Sequence, residues 1–505
     1  MSKFARGRAK AITILLFVSL AGCSTNPQEL SIAEMAAIVG SDRVQVIDSQ
    51  AVPDSVITLE GAIARALKYN LNHRVKMLGE ALASGNLKAG KYDMLPKLLA
   101  NAGYSWRDSY SLRYKATPAA PKVFDRDQAL ELSVDREHFT SDLTLSWNIL
   151  DFGTSYYTSK QNGDRLLVAK EQRRKAMHIL MQEVRTAYWR AYASEMLRAR
   201  IKTTIVGAER ALKDARDLSA SRASSPDDSL RYQRNLLENL RLLEGVDRDL
   251  AAAKIKLVGL MGLRPGTQFE LEEPSTALPE LESDSEEMEA VALSHNADLR
   301  SQIYNARIAA TETRKTLLSM LPGINLNFGT NHDDDRYLYD SSWDQAAVDV
   351  SANLMKLLSG PSRMKAAKAN VAVEEARRTA LQMMVLTQVH LSRYQYLNAV
   401  RQYERADQIF NVDAQLAEIM RGKYASNAVG EQVTIAADVS AIFSELRRFE
   451  AMAKAQEAVG KLQATLGLEP VFSSVDDFSL AQMKDIVGQW LESGLEMPAM
   501  DESEL

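Results

Sequence analysis

Four short stretches of the chain alternate apolar and hydrophilic residues one by one. Ala100, Ala102, Tyr104 and Trp106 alternate with Asn101, Gly103 and Ser105. Leu143, Leu145, Trp147 and Ile149 alternate with Thr144, Ser146 and Asn148. Ile324, Leu326 and Phe328 interleave with Asn325 and Asn327, and Val348, Val350, Ala352 and Leu354 with Asp349, Ser351 and Asn353. A period of two places every apolar residue of a strand on one face. The pattern predicts strands near 98–107, 140–150, 323–330 and 346–355, each with one apolar and one hydrophilic face. A transmembrane β-strand needs this alternation over about 9–11 residues. A soluble antiparallel sheet with one wet face shows it too.

The long segments outside the strand pairs have a helical period. Apolar residues recur at three- and four-residue steps, as in Ala187, Trp189 to Ala191, and Met196-Leu197. Helices are predicted over about 58–93, 155–221 and 227–261, and again over about 284–319, 361–424 and 430–466. Ser224-Ser225-Pro226-Asp227-Asp228 breaks the first long one and restarts the next, with serine or aspartate as caps. A helix of roughly 65 residues spans about 100 Å, far beyond the usual globular length. The plan occurs twice. Ala66-Leu67-Lys68-Tyr69-Asn70 is echoed by Ala292-Leu293-Ser294-His295-Asn296, Leu95-Pro96 by Leu321-Pro322, and Leu260-Met261-Gly262-Leu263-Arg264-Pro265 by Thr465-Leu466-Gly467-Leu468-Glu469-Pro470. The expected fold class is therefore α+β, mainly α, internally duplicated: a first repeat over 58–270 and a second over 284–470. The apolar stripe of the long antiparallel helices fits a bundle or coiled coil as well as a barrel of helices. Four strands cannot close a barrel, and open sheet edges cannot face lipid, so several chains each contribute four strands to an oligomeric transmembrane β-barrel.

The N-terminus changes the setting. Lys3, Arg6, Arg8 and Lys10 precede an apolar run from Ala11 to Leu20, and Leu20-Ala21-Gly22-Cys23 closes it. A basic start, a short apolar core and small residues before a cut read as a secretory signal over 1–22, too short to span a membrane. Its ending resembles the bacterial lipobox, which implies lipidation of Cys23 and a lipidated segment over 23–57. No other cysteine exists, so disulfide chemistry is excluded. A net charge of −5 on 505 residues leaves no nucleic-acid footprint. Charges interrupt every later apolar run, so no transmembrane helix is predicted. Residues 471–505 form an acidic tail that packs around the middle of the helices or stays disordered.

With these residues in view, the chain resembles the TolC-type outer membrane factor family over about 55–470. The resemblance rests on the lipobox, the duplication, Leu95-Pro96 and Leu321-Pro322 entering the strands, and Leu145-Ser146-Trp147-Asn148-Ile149-Leu150-Asp151-Phe152-Gly153 leaving them. It implies a homotrimer with a twelve-strand barrel in the outer-membrane lipid and, below it, a helical barrel formed by the long antiparallel helices. It also implies a periplasmic adaptor and an inner-membrane pump or ABC transporter as partners, in tripartite efflux or type I secretion. Loops 108–139 and 331–345 would face outward. The helix turns near 222–228 and 424–431 would meet the adaptor, through Arg222, Ser224, Ser225, Asn427 and Gly430. The second strand-end run, Leu354-Met355-Lys356-Leu357-Leu358-Ser359-Gly360, departs from the pattern by lacking the aspartate and aromatic. Asn427 stands where a glycine is usual, and asparagine tolerates a left-handed backbone.

Candidate chemistry is sparse. Glu431, Asp438, Asp227 and Asp228 flank the two tip turns. Repeated around an oligomer they would form an acidic gate ring that favours cations; the plainer reading is helix N-terminal acids stabilised by the dipole. His332-Asp333-Asp334-Asp335 has the look of a hard-cation site but reads more simply as a solvated loop. Gly259, Gly262 and Gly266 end a helix, so they make no phosphate loop. The methionine pair Met383-Met384 reads as core filling. No nucleophile, base and orienter converge. The expectation is a transport duct, not an enzyme, without cofactor or resident metal. Its rival is a lipid-tethered periplasmic helical scaffold without a channel.

Overall fold

The computed structural model describes residues 29–44, 54–113, 131–220, 226–281, 284–470, 472 and 478–497. Residues up to Pro53 form one unit and those from Asp54 another. In the first, helix α1 (Ile32–Arg43) is started by a capping box between Ser31 and Glu34 and buries none of its side chains.

The second unit runs β1 (Val56–Ile57), α2 (Leu59–Tyr69), α3 (Leu71–Tyr92), β2 (Lys97–Trp106), β3 (Ser111–Arg113), β4 (Glu131–Val134), β5 (Glu137–Asn148), α4 (Ile149–Ala220) and α5 (Pro226–Leu260). It continues β6 (Glu270–Leu271), α6 (Ser285–His295), α7 (Ala297–Leu318), β7 (Gly323–Asp333), β8 (Ser342–Ser351), α8 (Leu354–Ala425), α9 (Glu431–Leu466) and α10 (Leu480–Ser493). The unit is mainly helical. Element lengths match between its halves: α3 and α7 have 22 residues each, α4 and α8 have 72 each, and α5 and α9 have 35 and 36. A 72-residue helix reaches about 108 Å. Among the described residues no helix is long and apolar enough to cross a membrane.

Asparagine makes the joints. Asn70 ends α2 and starts α3; Asn296 does the same for α6 and α7. Each carboxamide oxygen accepts a free N–H of the new helix, from His73 at 3.1 Å and from Leu299 at 3.1 Å. Each carboxamide nitrogen donates to a carbonyl at the far end of another helix, Leu260 at 3.1 Å and Thr465 at 3.0 Å. One side chain thus satisfies the orphan groups of two helix ends at once. Those far ends, of α5 and α9, are closed by left-handed glycines, Gly262 at φ 72° and Gly467 at φ 73°.

The passage from strand to helix is more abrupt than the sequence predicts. Asn148 closes β5 and its Oδ1 accepts from Asp151 N at 2.9 Å, so α4 begins at Ile149, not near 155. Asn353 does the same for Met355 N at 3.1 Å, so α8 begins at Leu354 and carries Pro361 inside it. The second strand-end run therefore turns without the aspartate and aromatic it lacks. Gly153 and Gly360 lie in these helix starts, where an added Cβ would meet the side-chain ends of Leu318 and Met320.

The sheet orders its strands β2-β5-β7-β8, all antiparallel, so β5 and β7 join the halves. Below it the helices form a row: α3 and α7 flank α4 and α8 lies beyond α7, while nearer the turns α5, α4, α9 and α8 stand side by side. The main core lies between, around Trp189, Tyr188, Leu197 and Leu243, all fully buried. Here β1 and β6 pair in parallel, and Tyr188 Oη sits 2.8 Å from the carbonyls of Ile57 and Glu272. The described part of the C-terminal tail is ordered: Met483 and Val487 of α10 are fully buried, and Trp490 lies 4.7 Å from the Arg185 guanidinium.

Candidate conduit wall and helical tip

The sheet has two unlike faces. On one, polar side chains hydrogen-bond to each other across and along the strands. Asn101 Nδ2 donates to Asp142 Oδ2 at 2.9 Å, and Thr144 Oγ1 donates to the same oxygen at 3.0 Å. Ser146 donates to Asn327 Oδ1 at 2.7 Å, and Asn327 Nδ2 to Asp349 Oδ2 at 2.9 Å. Asn148 donates to Asn325 at 2.6 Å. The other face carries Leu98, Tyr104, Trp106, Leu143, Phe328, Val348 and Val350, all exposed, the two valines to 69%. Among the described residues nothing covers that apolar face, and β2 and β8 have no further strand beyond them at the sheet's edges.

At the sheet's far end the acidic run is solvated only in part: Asp334 is exposed, while Asp335 is buried. Asp335 is 6% exposed and its Oδ1 accepts from the N–H groups of Asp135 and Tyr337, both at 3.1 Å. Asp135 in turn accepts from Arg136 N at 2.9 Å and Arg336 Nε at 2.5 Å. Asp333 meets His138 Nδ1 at 2.7 Å, and Asp334 accepts from Phe139 N at 2.5 Å. The carboxylates are used up in stapling two loops together. Among the described residues no group of three His, Cys, Asp or Glu could hold a metal ion.

At the opposite end lie the two helix turns. Cys23, Arg222, Ser224 and Ser225 fall outside the described residues. Asp228 lies in the first turn of α5. Its neighbour Asp227 is exposed and paired with Arg231 at 3.1 Å. Between α8 and α9, Asn427 adopts φ 53°, the one positive value outside glycine among the described residues. Ala428 N donates to Lys423 O at 2.8 Å and Asn427 N to Tyr424 O at 2.9 Å, the double closure of a Schellman turn. Replacing Asn427 with alanine is expected to cost about 1–2 kcal/mol, since a Cβ without a polar side chain resists this conformation. Glycine there should be tolerated, and thermal melting of both variants checks the pair.

Gly430 opens α9 without a side-chain cap. Glu431 follows in the first turn, close to Tyr232 of α5; burial raises the Tyr232 hydroxyl pKa, and Glu431 and Asp214 add to it. Asp438 pairs with Arg421 across the turn at 3.3 Å. Burial raises its carboxyl pKa, opposed by Arg421 and Arg200. Arg200 also pairs with Glu445, tying α4 to α9. The structure thus brings Glu431 and Asp438 onto one helix facing α5 and α8, and neutralises Asp438 and Asp227 with arginines. Arg421, Arg200 and Tyr232 are absent from the sequence-derived set, because their role depends on which helices become neighbours.

No family profile and no curated protein matches the sequence. Solved structures do. The Campylobacter jejuni CmeC outer membrane channel aligns with a TM-score of 0.66 at 12% identity, covering 92% of this chain and 98% of that one. The Vibrio cholerae outer membrane protein VceC aligns at 0.60 and 14%, covering 81% and 97%. The open state of the Neisseria gonorrhoeae MtrE outer membrane channel aligns at 0.59 and 15%, covering 83% and 94%. The chain has the fold of a TolC-type outer membrane factor.

Proposed function

We propose that this chain is the outer-membrane exit channel of a tripartite efflux or type I secretion system. The observation that carries the reading is the four-stranded sheet, apolar and exposed on one face, hydrogen-bonded and polar on the other, and open at both edges. Turned so that the apolar face meets lipid, the polar face lines a water-filled lumen. The open edges then require partner strands. A homotrimer supplies twelve strands and closes the barrel.

The helices support the same closure. The row α5-α4-α9-α8 ends in α8, whose Ile409, Val412, Leu416 and Ile419 are exposed at coiled-coil spacing. Its other end, α5, exposes Leu230 and Leu237. An edge-to-edge contact between unlike edges makes a ring when the rotation closes. The matched element lengths of the halves support a duplicated origin. On this reading residues 1–22 are a signal peptide, and Cys23 carries the lipid that helps hold the chain in the outer membrane. The tip residues Arg222, Ser224, Ser225, Asn427 and Gly430 meet a periplasmic adaptor. Glu431, Asp438, Asp227 and Asp228 form the periplasmic gate, held shut in part by the Arg421–Asp438 pair. The pump supplies energy and most of the selectivity, and the chain itself performs no catalysis.

Reconstitution in planar bilayers tests the reading. Discrete conductance steps are expected, and Arg421→Ala with Asp438→Ala should enlarge them. A folded, oligomeric sample that gives no steps, and that leaves the membrane fraction when Cys23→Ser blocks acylation, would identify a tethered scaffold instead.

A further inference from the structure

Between α8 and α9, part-way from the sheet to the turn, lies a groove of about 500 Å³. It opens because Ala399, Ala406 and Ala451 stand where larger side chains would fill the seam. Arg405, Arg447 and Lys454 line it, all exposed, and none of the three has an ion-pair partner among the described residues. This sets them apart from Arg448 next door, which is paired with Asp407 and rests on Phe410. Glu450 is the single acid of the lining. Three cations over a low-dielectric floor concentrate positive potential along one side of the helix pair.

The groove lies roughly 65–80 Å along α8 from the sheet. If the sheet sits in the outer membrane, this depth is within the periplasm, where a duct must thread the cell wall. The wall is a polymer whose peptide stems carry free carboxylates at many points. We infer that the α8–α9 groove is a docking site for carboxylates of the peptidoglycan, gripping the duct where it passes through the mesh. The inference rests on the exit-channel reading for its compartment. It takes the occupant from charge complementarity: unpaired guanidinium and ammonium groups toward carboxylates, with Asn398 and Gln402 as further hydrogen-bond donors along the rim.

Co-sedimentation of the full-length detergent-solubilised protein with purified, insoluble peptidoglycan sacculi tests it. The protein should pellet with sacculi at low salt and be released as salt rises. Arg405→Ser, Arg447→Ser and Lys454→Ser combined should weaken binding roughly tenfold or more, while Arg405→Lys with Arg447→Lys retains most of it. Sacculi whose carboxylates have been amidated should bind like the triple variant. Equal pelleting of wild type and triple variant, or equal binding to amidated sacculi, overturns the proposal. Binding to poly-L-glutamate with none to sacculi overturns it as well, and points to an acidic protein partner. Bilayer conductance is measured separately, so a wild-type protein that gives channel steps yet does not pellet with sacculi refutes the groove alone, and a wild-type protein that gives no steps refutes the duct.

Discussion

Replacing Gly467 with alanine is expected to destabilise the protein by roughly 3 kcal/mol or more. Two costs combine. At φ 73° the backbone lies in the left-handed region, where a Cβ is strained. A Cβ built there also lands on the backbone carbonyl of His295, which cannot swing aside as a side-chain tip would. Because that carbonyl belongs to the last turn of α6, any shift also drags the Asn296 joint that starts α7. The comparison is Gly460→Ala, seven residues earlier in the same helix. Its Cβ would meet Gln182 at an ordinary 3.5 Å, and the helix gains from losing a glycine, so melting should stay level or rise slightly. Thermal denaturation followed by circular dichroism measures both. A melting temperature for Gly467→Ala within a degree of wild type would refute the close approach.

The second large effect is expected at Arg174. Its guanidinium bonds Glu469 at 2.6 Å through Nε and Glu171 at 2.5 Å through Nη1. Nη2 reaches the carbonyls of His295 and Gly467, both at 3.4 Å. Arg300 holds the other oxygen of Glu171 at 3.1 Å, and His178 lies 3.4 Å from Glu469. The Glu171 side chain is 5% exposed and that of Arg174 12%. Arg174→Ala leaves buried carboxylates short of their cation, which costs about 3–5 kcal/mol. Lysine restores charge but not the forked geometry, so it should recover only part. The same network sets a pH dependence. Burial pushes the Glu469 carboxyl up, but His178 and Arg174 outweigh it and hold the pKa below the ordinary 4.5. A depressed carboxylate stabilises the fold above its unfolded pKa. That contribution is therefore present above about pH 4.5 and drains away as pH falls through the lower folded value. Glu469→Gln should flatten this acid limb of the melting curve; an unchanged limb would show that other carboxylates set it.

What could be read from the chain, and what could not, divides by range. The alternation of Leu143, Leu145 and Trp147 against Thr144, Ser146 and Asn148 is local, and the sheet presents those residues on opposite faces. The helical period of the long segments is local too. The parallel pairing of Val56–Ile57 with Glu270–Leu271 is not, because two residues carry no period and the partner strand lies far along the chain. Helix α10 was legible in part: Ser479 and Gln482 form a capping box, with Met483, Val487 and Trp490 at helical spacing behind it. The acidity of the surrounding tail obscured that signal. At the tip, the left-handed Asn427 follows from its residue type. The pairing of Asp438 with Arg421 does not, since it exists only once the turn folds α9 back on α8. The acids at 333–335 show the same limit. Their spacing in sequence suggests a solvated loop, whereas Asp335 ends buried because Asp135 on another loop offers it an N–H.

The asparagine hinges at 148 and 353 leave no slack between sheet and helix, and α4 and α8 run 72 residues each from them. Such a shaft can change length only under a strict rule. One inserted residue turns everything beyond it by about 100° and advances it about 1.5 Å, which would swing each seam away from its neighbour. Seven residues bring the seam back to within roughly 20°. Because α7 and α9 lie between the two shafts and pack against both, an insertion in one needs its counterpart in the other at the same height. Descendants adapted to a wider cell envelope should therefore lengthen both shafts together, in whole heptads, while the hinges and the sheet stay as they are.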